Sequence, residues 1–248
     1  MGYQNVFKRY EIKYLLTMEQ YTRVLEAMEP HMALDQYGRT TIRNIYYDTP
    51  TYRLIRRSTE KPAYKEKLRL RSYCQADSQT PVFVELKKKY KGVVYKRRLA
   101  MPEDGAMRWL SGVGEGPEDS QISREIRYFR DYYESLRPTV FLSYDRDAYY
   151  CRNGGDFRVT FDRNILYRTE QLSLTLPPGG EAILPEDRVL MEIKTAGGIP
   201  LWLTRSLTQE RIYKTSFSKY GTAYTSLIFP RLQSENKPYI KENPYHVS

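Results

Sequence analysis

Histidine and cysteine are nearly missing from this chain, with two of each in 248 residues. Cys74 and Cys151 lie far apart without a Cys-x-x-Cys pair, so neither a disulfide framework nor a thiolate zinc site is encoded. His31 and His246 are too few and too distant for a histidine metal centre or a Ser-His-Asp triad. No apolar run approaches the ~20 residues of a membrane-spanning helix, and the N-terminus has no signal-peptide core. With a cysteine usage that fits a reducing compartment, this points to the cytoplasm. A Walker-type glycine loop and the kinase signature set are both lacking, so any phosphate must be held by side chains. No internal repeat and no linker divides the chain. One domain over residues 1–230 is expected, followed by a partly disordered tail, 231–248, where apolar content falls.

What the chain has in excess is positive charge and tyrosine: 40 Lys+Arg against 30 Asp+Glu, a net charge of +10, and 24 Tyr. An anionic partner is the first expectation, whether nucleic acid, membrane phosphates or a phosphorylated small molecule. The segment 65–71, Lys-Glu-Lys-Leu-Arg-Leu-Arg, sharpens it. As a strand it puts Lys65, Lys67, Arg69 and Arg71 on one face and Leu68 and Leu70 on the other. A solvated edge strand has the same pattern, so the argument turns on repetition elsewhere. Glu11 and Lys13 share a face on a first strand, Glu85 and Lys87 on another, Arg158, Thr160 and Asp162 on another, and Glu192 and Lys194 on another. Leu142, Tyr144 and Arg146 share a face on a further strand. A hairpin spans Val82 to Met101 around Tyr90-Lys91-Gly92; which of Lys96, Arg97 and Arg98 points inward depends on register and stays open.

Helices are expected at Thr17–Met28, after Pro50 to about Arg57, at Ala106–Leu110, Ser120–Leu136, Pro200–Gln209 and Thr215–Phe229. Arg124, Arg127 and Arg130 read as a solvated helix face. Strands polar on one face and covered by helices on the other suit an α+β fold: a closed antiparallel β-barrel, or tunnel, of about eight strands with a charged interior and helices outside. So many enclosed cations need water, carboxylates and an anionic ligand, because desolvating charge is costly. A triphosphate with its metal meets that need. Glu11, Glu85, Asp162 and Glu192 can balance the cations or ligate Mg²⁺ or Mn²⁺, which take oxygen ligands from one or two carboxylates plus substrate phosphates.

Glu11-Ile12-Lys13-Tyr14, Tyr46-Tyr47-Asp48, Lys67-Leu68-Arg69-Leu70-Arg71, Val84-Glu85-Leu86-Lys87, Tyr95-Lys96-Arg97-Arg98, Tyr144-Asp145-Arg146, Arg158-Val159-Thr160-Phe161-Asp162, Glu192-Ile193-Lys194 and Phe217-Ser218-Lys219-Tyr220 follow one another in an order that resembles the VTC-type polyphosphate polymerase domain of the triphosphate tunnel metalloenzyme superfamily. The resemblance runs from about Val6 to Phe229. It implies polyphosphate grown from the γ-phosphate of ATP inside a β-barrel tunnel, with a divalent metal, usually Mn²⁺. It implies Lys13, Arg69, Arg71, Lys87, Lys96, Arg146 and Arg158 as phosphate ligands, Glu192 as metal ligand, and Lys219 reaching the tunnel from the last helix beside Ser218. Where that family often carries a lysine before Phe-Ser-Lys, this chain has Ser216; Lys214, two residues earlier, is the candidate substitute, and whether it replaces the missing lysine stays open. Glu11, Lys67, Glu85, Asp162 and Lys194 complete the expected substrate-binding set. The expected partners are ATP, orthophosphate and polyphosphate, without nucleic acid; the relatives' regulatory domain and membrane segments do not carry over, which leaves room for a separate membrane partner.

Three functions compete at this stage: a polymerase that passes the γ-phosphate of ATP to orthophosphate or a chain end, a triphosphatase or polyphosphatase of the same fold, and a non-enzymatic polyanion-binding module whose tyrosines stack on bases. Carboxylates beside the cations at i, i+2 spacing repel a bare polyanion and suit a metal–phosphate ligand, which favours the enzymes.

Overall fold

A computed structural model describes residues 10–91 and 93–234. The chain runs through β1 (Tyr10–Thr17), α1 (Met18–Met28), β2 (Met32–Leu34), β3 (Thr40–Asp48), α2 (Arg53–Thr59), β4 (Tyr64–Ser72), β5 (Pro81–Tyr90), β6 (Val93–Pro102), α3 (Glu103–Leu110), α4 (Gln121–Tyr132), β7 (Arg137–Cys151), β8 (Arg158–Arg168), β9 (Glu181–Ala182), β10 (Arg188–Thr195), α5 (Leu201–Gln209), β11 (Lys214–Thr215) and α6 (Lys219–Ala223). A π-helical turn, Tyr224–Ile228, then leads into α7 (Phe229–Ser234). The expected disordered tail lies outside the described residues beyond Ser234, as do Arg9 and Gly92.

All the strands join one antiparallel sheet in the order β11-β1-β10-β8-β7-β3-β4-β5-β6, with β2 and β9 attached to β7 and β8. Among the described residues no ladder joins β6 to β11, so backbone hydrogen bonds do not close the cylinder expected from the sequence. Side chains meet across the gap instead. Lys87 of β5 lies 3.1 Å from Glu11 of β1, although the two strands stand near opposite edges of the sheet. The sheet is therefore a curled trough.

Strand alternation sorts the two faces. The convex face is apolar and covered by helices. Leu68, Leu70, Val84 and Leu86 pack under Trp109 of α3 and Ile126 and Phe129 of α4. Tyr14, Leu16, Val159, Phe161, Met191 and Ile193 pack under Tyr21, Val24 and Met28 of α1 and Leu203 and Leu207 of α5. Thr17 caps α1 as read from the sequence: its hydroxyl accepts from the Gln20 N–H, and the Gln20 side chain accepts from the Thr17 N–H. On the concave side a third cluster joins Ile42, Tyr46, Leu142, Tyr144 and Leu190 to Tyr220, Ala223, Tyr224 and Ile228, so the C-terminal helical segment plugs part of the trough.

Helix α3 begins three residues before the expected Ala106, at Glu103, and two other helices begin later than expected. Helix α2 begins at Arg53 rather than at Pro50, because the buried Asp48 carboxylate accepts the Leu54 and Ile55 N–H groups at 2.8 and 3.0 Å. Tyr52, in the left-handed region at φ 59°, makes the turn into it. The last helix begins at Lys219, not Thr215: residues 214–215 pair with β1, and the Ser218 hydroxyl caps α6 by accepting the Gly221 N–H.

Candidate active site in the cationic trough

Cross-strand register brings the predicted cations together. Arg71 stands opposite Asn44 and Phe83, Arg69 opposite Tyr46 and Glu85, and Lys67 opposite Lys87. Lys87 in turn faces Lys96, and Glu85 faces Arg98. On the other wall Lys13 faces Glu192, Glu11 faces Lys194, Glu192 faces Thr160, and Asp162 faces Arg146. The open question of the hairpin is thereby settled. Lys96 and Arg98 turn inward, while Arg97 turns out to Glu125 of α4 at 3.2 Å.

Glu85 ties one half of the trough. Only 1% exposed, it takes Arg69 Nη2 at 2.7 Å and Lys96 Nζ at 2.7 Å, bonds Arg98, and has Arg71 Nε at 3.8 Å. Burial alone would raise its pKa, but Arg69, Arg71 and Lys96 hold it well below the carboxylate range. Arg71 also donates to Asn44 Oδ1 at 2.9 Å and to the Tyr144 hydroxyl at 3.1 Å, and Arg69 donates to the Tyr46 hydroxyl at 3.0 Å. Burial depresses the Lys96 ammonium to about 8 against the pull of Glu85.

Asp162 organises the deep wall. Fully buried, it accepts Arg146 in a fork at 2.6 and 2.8 Å and Lys219 at 2.5 Å. Burial pushes it up, Arg146 and Lys219 overcome that, and the carboxyl sits at about 2. Burial likewise raises the Tyr144 phenol, but Arg71, Arg146 and Lys219 outweigh it and bring it to about 7. The Lys219 ammonium lies 4.2 Å from the centre of that ring.

Lys13 and Lys67 differ from these cations, since among the described residues neither has a carboxylate within ion-pair distance. Lys13 donates to the Phe217 carbonyl at 2.8 Å and Lys67 to the Ser218 hydroxyl at 3.0 Å. Burial, then Lys13, Lys65, Lys87 and Arg69, lower Lys67 to about 7. Burial, then Lys219 and Lys87, also lower Lys13, against Glu192. The segment that supplies both partners is held by Tyr220, whose hydroxyl donates to Asp48 at 2.9 Å and whose ring packs 4.9 Å from that of Tyr46.

Glu192 is 7% exposed, with Lys194 at 3.4 Å. Burial raises its pKa, but Lys194, Lys13, Arg146 and Lys219 hold it well below the usual range. Glu11 is lowered too, Lys87 and Lys194 prevailing over burial and over Glu192. Among the described residues no cluster of three His, Cys, Asp or Glu could hold a metal by itself. The donor set that exists is the ionised Glu192 carboxylate ringed by Lys194, Lys13, Arg146 and Lys219. It fits a hard divalent ion that keeps its waters and arrives on phosphate oxygens.

Two predicted residues stand apart. Lys214 is exposed and pairs with Tyr14, whose side chain belongs to the convex face; it does not replace the lysine lacking at Ser216, because Thr215 takes the inward position opposite Lys13. Arg158 lies exposed at the rim opposite Lys194. Sequence reading gave no site role to Tyr144, Asn44, Tyr46 or Asp48, and left Arg98 open. Their parity was visible, but the pairing that gives them partners was not.

A curled antiparallel sheet with helices outside and a cationic concave face makes this a tunnel-fold protein. The family model of the VTC domain matches residues 8–228, and the chain belongs to that family. Solved structures of two proteins named as candidate adenylate cyclases share the fold. The one from Bacillus halodurans is 14% identical, with a TM-score of 0.54, over 90% of this chain and 98% of its own. The one from Vibrio parahaemolyticus is 13% identical, with a TM-score of 0.50, over 90% of this chain and 100% of its own. No curated protein matches the chain. No described helix is long and apolar enough to cross a membrane.

Proposed function

We propose that this chain is a phosphotransferase that builds polyphosphate from the γ-phosphate of ATP. The observation that carries the reading is the pair Lys13 and Lys67: two enclosed ammonium groups without a carboxylate at ion-pair distance among the described residues, beside Ser218 and Lys219 and in a trough already lined by Arg69, Arg71 and Arg146. A chain of phosphates supplies the charge they lack. Phosphoryl transfer asks for positioning and charge neutralisation more than for covalent help from the protein.

In this reading an oxygen of orthophosphate or of a polyphosphate end attacks the γ-phosphorus in line. The bond from that phosphorus to the β–γ bridging oxygen breaks, and its electron pair leaves on ADP. Arg69, Arg71, Arg146, Lys13, Lys67 and Lys219 hold the non-bridging oxygens. Lys87, Lys96, Lys194 and Arg158 extend the track toward the rim. Glu85 and Asp162 do not touch substrate; they fix the guanidinium forks. Glu192, with Glu11 nearby, would hold Mn²⁺ or Mg²⁺, which when bound neutralises charge on the phosphate oxygens.

Purified protein incubated with ATP and Mn²⁺, with products sized on a gel, tests this. A ladder of long phosphate polymers is expected. Orthophosphate alone would make the chain a triphosphatase, and cyclic AMP with pyrophosphate would give it the activity for which its structural neighbours are named.

A further inference from the structure

Thr160 lies directly opposite Glu192 in the β8–β10 ladder, so the two side chains share the concave face. It is 7% exposed, and its Oγ1 has no hydrogen-bond partner among the described residues. Its neighbour on the other side, across the β7–β8 ladder, is Ala148, which offers none. A buried hydroxyl without a partner costs ~1–3 kcal/mol, and a valine of the same shape would avoid that cost. Nor does Thr160 reach the Glu192 carboxylate beside it, so both of its lone pairs remain available. Donors for phosphate oxygens abound here, in Lys13, Arg146 and Lys219. What this wall has little of is neutral oxygen that can accept a cation.

We infer that Thr160 Oγ1 and the Glu192 carboxylate form a two-oxygen seat for the divalent cation that accompanies the phosphates. The inference rests on reading the trough as a metal–phosphate site. A threonine or serine hydroxyl on Mg²⁺ is established chemistry in other phosphate-binding proteins.

Mn²⁺ titrated into the protein with saturating tripolyphosphate, followed by the electron paramagnetic resonance of free Mn²⁺, reads the seat without any turnover. Thr160→Val is expected to weaken Mn²⁺ binding about tenfold, and Thr160→Ser to stay within about twofold of wild type. Affinity for tripolyphosphate in EDTA should be the same in all three proteins, which also shows that the variants fold. Wild-type Mn²⁺ affinity in Thr160→Val overturns the inference. So does a loss of metal-free tripolyphosphate affinity in that variant, because the hydroxyl would then contact phosphate. A wild-type protein that binds tripolyphosphate but no Mn²⁺ overturns the seat and the metal in the proposed function while leaving the cationic trough intact.

Discussion

The two halves of the trough handle positive charge in opposite ways. Around Glu85, the cations Arg69, Lys96 and Arg98 share a carboxylate that is 1% exposed, and Arg71 stands at its edge. Around Ser218, Lys13 and Lys67 donate to a carbonyl and a hydroxyl, and among the described residues neither has a carboxylate within ion-pair distance, although Glu192 stands opposite Lys13 in the ladder. The first arrangement is partly compensated, with one carboxylate tying several cations together, and it shapes the site. The second is left incomplete by the protein and asks for a ligand. Position on the concave face alone therefore does not show whether a cation is held by the protein's own charge; a carboxylate within ion-pair distance does.

The largest effect should come from breaking the compensated half. Glu85→Ala leaves buried guanidinium groups unpaired and is expected to cost about 3 kcal/mol of folding stability, read from the denaturant midpoint. If the stability is unchanged, Glu85 is not the tie it is drawn as. The incomplete half should respond with the opposite sign. Lys67→Met removes an enclosed, unpaired charge and is expected to stabilise the ligand-free protein by about 1–2 kcal/mol, while weakening tripolyphosphate binding. A variant that loses stability would place Lys67 in the compensated group.

A smaller effect, and a finer test, lies in pH. The folded Lys67 gives up its proton at about 7, whereas the unfolded chain keeps it to ~10.4. Between those values the unfolded state binds more protons, so stability rises with pH across that window, and below about 7 the cost of the charge is fully present. Thermal unfolding from pH 7 to 9 should show this rise in wild type and a flatter one in Lys67→Met. Equal slopes would remove Lys67 from the account.

Much of the site could be read from strand parity. Lys65 to Arg71, Glu11 with Lys13, and Glu192 with Lys194 all lie on the faces that alternation assigns to them. Parity is local and needs no knowledge of partners. What could not be read depends on long-range pairing. Whether Lys96 or Arg97 points inward follows from the pairing of β5 with β6. The displacement of Lys214 follows from the pairing of β11 with β1. The role of Asp48 needs Tyr220, 172 positions away in the chain. The late start of α6 is of the same kind. Tyr220, Ala223, Tyr224 and Ile228 all face the trough, but the two residues at 214–215 are drawn into the sheet first. The open seam had no signal at all, since a curled sheet and a closed barrel place the same polar and apolar faces along each strand.

Calorimetric titration of tripolyphosphate into wild type and the Lys13→Met/Lys67→Met double variant, near pH 8 in two buffers of different ionisation enthalpy, addresses the central claim directly. Wild type should bind with net proton uptake, because the phosphates restore charge to Lys67, and the double variant should lose both the proton uptake and at least about tenfold in affinity, or ~1.4 kcal/mol. Equal affinity in the two proteins, with no proton taken up by either, would contradict it.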